Sequence, residues 1–297
     1  MTAKKCFATM SLLSIFQIFF SCSDKKPGVT AAAGYYFYDE KWHYYGGFSN
    51  ASYLEISGAD TASFEKLDGT FPLATYARDK NLAYYNGKAI PGAIGKSFSR
   101  IKGYLSKDEA HVFYLSSMLS DDPTHFEIVD ENVSRDSRHV FWGDHVISKD
   151  PVRFKPIGKS AGLSYYTDSK GVIANSNRLS GADANTFQIL SHGYSKDKSN
   201  VFLIDGVELK TINEADPATF KVLNAYYSLD AKYVFWNGLI LENADPASFR
   251  ILNEEVHCGA DHQLAYHRNV FIPNADPASF PKNKPCKYCT DEKVVFE

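Results

Sequence analysis

The chain has 297 residues, of which 44% are hydrophobic and 14% aromatic, and a formal net charge of -3 at pH 7. That length supports one large domain or two ordinary ones with a buried core. No run of like charge stands out, so the basic stripe that a nucleic-acid partner requires is missing, and no nucleic acid is expected as a partner.

Residues 1–21 read as a lipoprotein signal peptide. Lys4 and Lys5 form a positive start, and Phe7 to Phe20 is apolar apart from a few small polar residues and Gln17. This run is shorter than the roughly 20 residues of a membrane-spanning helix. It ends at Phe19-Phe20-Ser21-Cys22, a small residue followed by the cysteine that would receive lipid. Phe20 is bulkier than is usual there, and ordinary secretion with cleavage nearby is the competing reading. Cys22 is therefore the expected lipid anchor in the membrane, and residues 22–34 the expected flexible tether. The expected location is the bacterial cell envelope, with Ser23 after the cysteine favouring the outer membrane.

From Tyr35 to the C-terminus, two motifs alternate. Phe64, Phe98, Phe126, Phe154, Phe187, Phe220, Phe249 and Phe280 recur every 28 to 34 residues. All but Phe98 have Asp four positions earlier, as in Asn243–Phe249 and Asn274–Phe280, both NADPASF; Phe98 has Ile94 there. Asp followed by Pro starts a helical turn, because the carboxylate caps free N–H groups and Pro needs none. The second motif is Asp, then four residues on Val or Ala, then an aromatic pair: Asp79–Tyr85, Asp108–Tyr114, Asp136–Trp142 and Asp230–Trp236. Asp197–Leu203 and Asp168–Ala174 are weaker copies, and the motif also opens the array at Asp39 and closes it at Asp291. Asn86-Gly87, Asp205-Gly206 and Asn237-Gly238 follow as tight hairpin turns. One unit thus reads as three short strands and a helical turn. Such a piece is marginal alone and must bury its aromatic face against its neighbours.

The repeated RDKNLAYYNGKAI (Arg78–Ile90) and SKDKSNVFLIDGVEL (Ser195–Leu209) resemble the DKNYY repeat family of bacterial envelope and secreted proteins. The resemblance covers residues 35–297 and implies architecture and compartment, with no catalytic residue to carry over. The copies at 92–98 and 168–174 depart most from the pattern. The expected fold is all-β, an open solenoid-like array of eight to nine repeats of about 30 residues joined by Asp-Pro turns. Closure into a propeller-like ring is the alternative, disfavoured by units with three strands at most.

Little in the chain reads as chemistry. The repeated Asp residues lack the dense alternation of a calcium loop, and turn duty explains them. Three cysteines remain beyond the signal and Cys22: Cys258, Cys286 and Cys289. Beside His257, His262 and His267 they could hold a metal, but an oxidising compartment favours a disulfide, with Cys258 reaching Cys289 or Cys286. No nucleophile elbow or phosphate loop occurs, so no catalytic residue, metal or cofactor is expected. Aromatic pairs alternate across a strand, which puts Phe113, Phe141, Phe202 and Phe235 inside and offers Tyr85, Tyr114, Trp142 and Trp236 as a binding face. The expected role is that of a non-enzymatic, membrane-anchored protein whose repeat surface binds an envelope protein or polysaccharide. The competing readings are a hydrolase with a site assembled across repeats, and a structural spacer.

Overall fold

Asn86 and Gly87 have φ of 51° and 76°, and Asn237 and Gly238 have 48° and 77°. Positive φ at both central residues is the turn whose twist matches that of two antiparallel strands, and Asn-Gly adopts it at least cost. These turns join the third and fourth strands of their repeats, Ala83–Tyr85 to Lys88–Ala89 and Val234–Trp236 to Leu239–Ile240. The computed structural model describes residues 26–28, 30–47, 53–67, 75–205 and 208–297. The signal segment, Cys22 and Gly206 of the Asp205-Gly206 turn lie outside the described residues.

The described chain is all-β, with nine small antiparallel sheets of two to four strands in which strand order follows chain order, and none closes into a barrel. A full repeat holds four strands, one more than the sequence reading expects. The added strand directly follows the Phe anchor, as in Gln188–Ile189 and Lys221–Val222, and pairs with the strand leading to the Asp turn. Two residues of mixed polarity give no period to detect. The chain divides into two compact units, 1–144 and 145–297.

The turn motifs interlock. Asp79, Asp108, Asp136, Asp168, Asp197, Asp230 and Asp261 are all buried. Oδ1 of Asp197 accepts the N–H groups of Ser199 and Asn200, each at 2.7 Å. Its Oδ2 accepts the N–H of Asp183, at the start of the preceding Asp-led turn, at 2.9 Å. Asp79 does the same with Asn81, Leu82 and Asp60, Asp230 with Lys232, Tyr233 and Asp216, and Asp261 with Gln263, Leu264 and Asp245. A return bond completes the latch: Lys80, Lys198, Ala231 and His262 donate their N–H to Ser63, Thr186, Thr219 and Ser248. Ile94 explains its own exception. Its backbone N–H reaches Asp108 Oδ2 at 2.8 Å, so the latch needs no side chain at that position. Where the turn carries His125 or Arg153 instead of Ser or Thr, Ser120 and Ser148 relay the contact. Their hydroxyls donate to Asp136 and Asp168 at 2.6 Å and accept the N–H of Asp122 and Asp150. Asp168 also holds Arg178 through both guanidinium ends, at 2.8 and 2.6 Å.

The Phe anchors fill the space between consecutive sheets. Phe220 lies 5.7 Å from the Tyr194 ring of one repeat and 6.0 Å from the Phe235 ring of the next. Phe98 stands likewise between Tyr76 and Phe113, Phe187 between Tyr165 and Phe202, and Phe249 between Tyr227 and Tyr266. Each buried cluster accordingly draws on two neighbouring repeats, as in Tyr194, Val201, Ile212, Phe220 and Phe235. The same tyrosines reach across with their hydroxyls. Tyr227 Oη lies 3.0 and 2.9 Å from the carbonyls of His257 and Arg268, which close the next hairpin, and Tyr76 approaches Tyr104 and Leu115 in the same way. Cys258 holds the place of this tyrosine in the next repeat, three residues before Asp261. There a disulfide to Cys289 crosses to the terminal hairpin instead.

Three outcomes are expected. Asp197→Ala leaves three N–H groups without their acceptor and should lower stability by roughly 3 kcal/mol in denaturant unfolding, whereas Ile94→Ala, which keeps the latching N–H, should spare the latch at Asp108. The carboxyls of Asp79 and Asp197 are held below the usual range: burial raises them, but the hydrogen bonds they accept outweigh it. The unfolded chain therefore binds more protons in acid, so this stability is present above about pH 4 and is lost as pH falls through the folded-state values. Burial raises the tyrosines Tyr76, Tyr194 and Tyr227. Their contribution is complete below about pH 10 and lost above it, so tyrosinate absorbance should rise together with loss of structure. Third, the disulfide closes a loop across a separation of 31 residues, worth roughly 3.5 kcal/mol by loop entropy. Peptide mapping should find Cys258 joined to Cys289, with Cys286 alkylated only after denaturation.

Candidate functional site

A cavity of mixed chemistry lies in the first unit, at the turn ends of the first three repeats. It has a volume of about 760 Å³ and is lined by Tyr44, Gly46, Tyr53, Leu54, Tyr85, Asn86, Lys88, Ala89, Pro91 and Ser116. The hairpin chemistry places its central residues. Gly87 is required twice over, by its φ and because a Cβ there would stand 2.5 Å from Tyr44 Cβ. That close approach brings the Tyr44 hydroxyl onto Asn86, to which it donates at 2.8 Å. Burial raises the pKa of Tyr85, and a hydrogen bond with the same Asn86 offsets part of the rise. The amide thus fixes the Tyr44 ring, and Tyr76 packs against Tyr85. Tyr53 is fixed from another side: its hydroxyl donates to the Pro27 carbonyl, and the Lys26 ammonium stands 4.8 Å over its ring. Pro27 is buried and Ala32 accepts the Tyr36 hydroxyl, so this part of the expected tether lies against the first sheet.

The four proposed surface aromatics differ in exposure. Tyr85 lines the cavity and packs 4.9 Å from Tyr76. Tyr114 is half-buried beside Tyr104 at 5.9 Å, and Trp142 is also half-buried. Trp236 is a correction. It is 8% exposed, because Tyr226 stacks on it at 5.1 Å, Tyr227 meets it edge-on at 4.7 Å, and His257 of the next repeat approaches to 5.5 Å. Phe271 is 45% exposed, and two further exposed rings are Tyr104 and Tyr226, at 47% and 36%. Both lie four residues before a buried Asp, a position whose identity changes from repeat to repeat, and that variability was the signal available in the sequence. The inward residues Phe113, Phe141, Phe202 and Phe235 are buried. Strict alternation fails at Tyr165-Tyr166, where both rings are buried, because Phe187 covers one face and Phe154 the other.

The ionisable groups are engaged elsewhere. Ser248, His262 and Asp245 come together, with Ser248 Oγ 2.8 Å from His262 Nδ1 and donating to Asp245 at 2.6 Å. His262 Nδ1 faces the carboxylate as well, at 3.1 Å. A catalytic triad needs Asp and Ser on opposite ring nitrogens, so this is a capped turn in composition and geometry. His267 Nδ1 pairs with Asp291 at 2.6 Å. Cys258 and Cys289 are joined, and Cys286 is a buried thiol whose pKa is raised by that burial. Among the described residues no group of three or more His, Cys, Asp or Glu is placed to hold a metal ion. The carboxyl of Asp122, which is half-buried, is lowered to about 2, first by the Ser137 hydroxyl and then by His125.

Comparison with curated proteins and with solved structures gives no significant match. A model of the DKNYY family matches residues 35–176 and again 165–297, which together take in every repeat of the array. The chain belongs to the DKNYY family.

Proposed function

We propose that this chain is a membrane-anchored, non-enzymatic lipoprotein of the bacterial envelope, tethered through Cys22, that binds a macromolecular partner through the turn ends of its repeats. The observation that carries the reading is the division of labour among side chains. The most repeated polar group, the buried Asp carboxylate, is saturated by backbone donors inside the fold. The residues that differ between repeats gather at the turn ends, where Tyr104 and Tyr226 are exposed and where Tyr44, Tyr53 and Tyr85 line a cavity. Tyrosine suits recognition there, since it offers a large rigid apolar face with a polar tip. An active site needs different reactive groups converging on one point, which near-identical repeats supply poorly.

The anchor and the binding role are tested in the same cells. A fatty-acid analogue should label the wild type and not Cys22→Ala; equal labelling of both contradicts the anchor. A photo-crosslinking residue at position 104 should capture a discrete envelope component, with no comparable product when it is placed at the inter-repeat position 113. Identical product patterns at the two positions contradict a turn-end binding face.

A further inference from the structure

We propose that the tyrosine-lined cavity of the first unit is a saccharide-binding site, which takes an oligosaccharide of neutral or carboxylate-bearing sugars. The inference deepens the binding role above and rests on it. Among the described residues the lining combines ring faces with short polar groups: three tyrosines, an amide, one ammonium and one hydroxyl, and no carboxylate. Sugars present the same combination, with apolar C–H faces between hydroxyls. The volume of about 760 Å³ falls in the range of small-ligand sites. Preorganisation is built in, because Asn86 holds Tyr44, Tyr76 packs against Tyr85 and Pro27 holds Tyr53. Rings fixed before binding lose little freedom on binding. Lys88 and Ser116 are exposed and stand ready to donate to sugar oxygens. Among the described lining residues the ammonium of Lys88 is the only ionised side chain, which sets the preference for neutral or acidic sugars.

A peptide fits this cavity less well. Peptides that dock on sheets add a strand to an exposed edge. The edge strands at the lining are Tyr53–Glu55 and Lys88–Ala89, three and two residues long, with Pro91 just beyond the second. Both are too short to seat another strand, and an edge lysine opposes pairing on the second. The position also suits a glycan. Lys26 contacts a lining residue, and only three residues separate it from Cys22. A chain of that length reaches at most about 14 Å, so a lipid on Cys22 would keep the cavity near the membrane surface. Glycolipid headgroups and cell-wall strands share the required chemistry.

The test is calorimetric titration of the full-length chain in detergent micelles with three probes: oligosaccharide released from lipopolysaccharide, solubilised peptidoglycan glycan strands, and a pool of unstructured peptides. Saturable binding of either saccharide is expected, and which one binds identifies the source. Lys88→Ala and Tyr85→Ala should each weaken it at least tenfold, with Val152→Ser, at an exposed position of the second unit, leaving it unchanged. Lys88→Ala, an exposed position, keeps the test valid should Tyr85→Ala unfold. Absence of saccharide binding, binding indifferent to Lys88→Ala in a folded protein, or binding of the peptides alone overturns the proposal. A turn-end crosslink at position 104 that survives any of these leaves the broader binding role standing while the saccharide site falls.

Discussion

A carboxylate buried in every full repeat is the constraint on which the rest depends. An ionised Asp taken out of water is costly unless its lone pairs are filled. In Asp197, as in Asp79, Asp230 and Asp261, Oδ1 takes two N–H groups of its own turn and Oδ2 takes one from the Asp-led turn before it. The charge therefore stabilises two turns at once, and neither is complete without the other. The latch fixes where the Phe anchor leaves its turn, and hence that Phe220 reaches both Tyr194 and Phe235. The hydroxyl bridges of Tyr76 and Tyr227, and the Cys258–Cys289 bond in the last repeat, add a second tie at the opposite end of the same sheets.

Local features were legible in the sequence because local chemistry decides them. Asn-Gly turns, Asp caps and the inward Phe of each aromatic pair need only neighbouring residues. The latch was not legible. It joins positions 14 to 19 residues apart through a backbone N–H that every residue but proline possesses, so Ile94 looks like a defect and works as well as Asp. The strand after each Phe was missed for a related reason: two residues carry no pattern, and the ladder partner supplies the order. Trp236 shows the limit of alternation. Its exposure depends on Tyr226 and His257, the latter supplied by the next repeat, and a rule read along one strand does not contain them.

The candidate site was legible only in part, through Tyr85. Its other walls come from Tyr44 and Tyr53 of the first repeat and Ser116 of the third, brought together by stacking. The same frame explains why chemistry gathers at the turn ends. The capping Asp, the Phe anchor and the buried Val or Ala after the turn must recur for the repeats to interlock. The residue four before each capping Asp is free of that duty and runs Thr75, Tyr104, Asn132, Ser164, Gly193, Tyr226, His257. A fold that holds its invariant groups inside leaves its variable ones for recognition.

The central claim is that the carboxylate latch ties each Asp-led turn to the sheet that follows it. Native-state hydrogen exchange at the turn amides measures this directly. The account predicts that the amides of Asp183, Asp216 and Asp245 exchange as slowly as the strand amides of Val201 and Val234, opening only when their repeats unfold together. Exchange at rates typical of exposed loops, while those strand amides stay protected, would show that the turns open independently and would contradict the account.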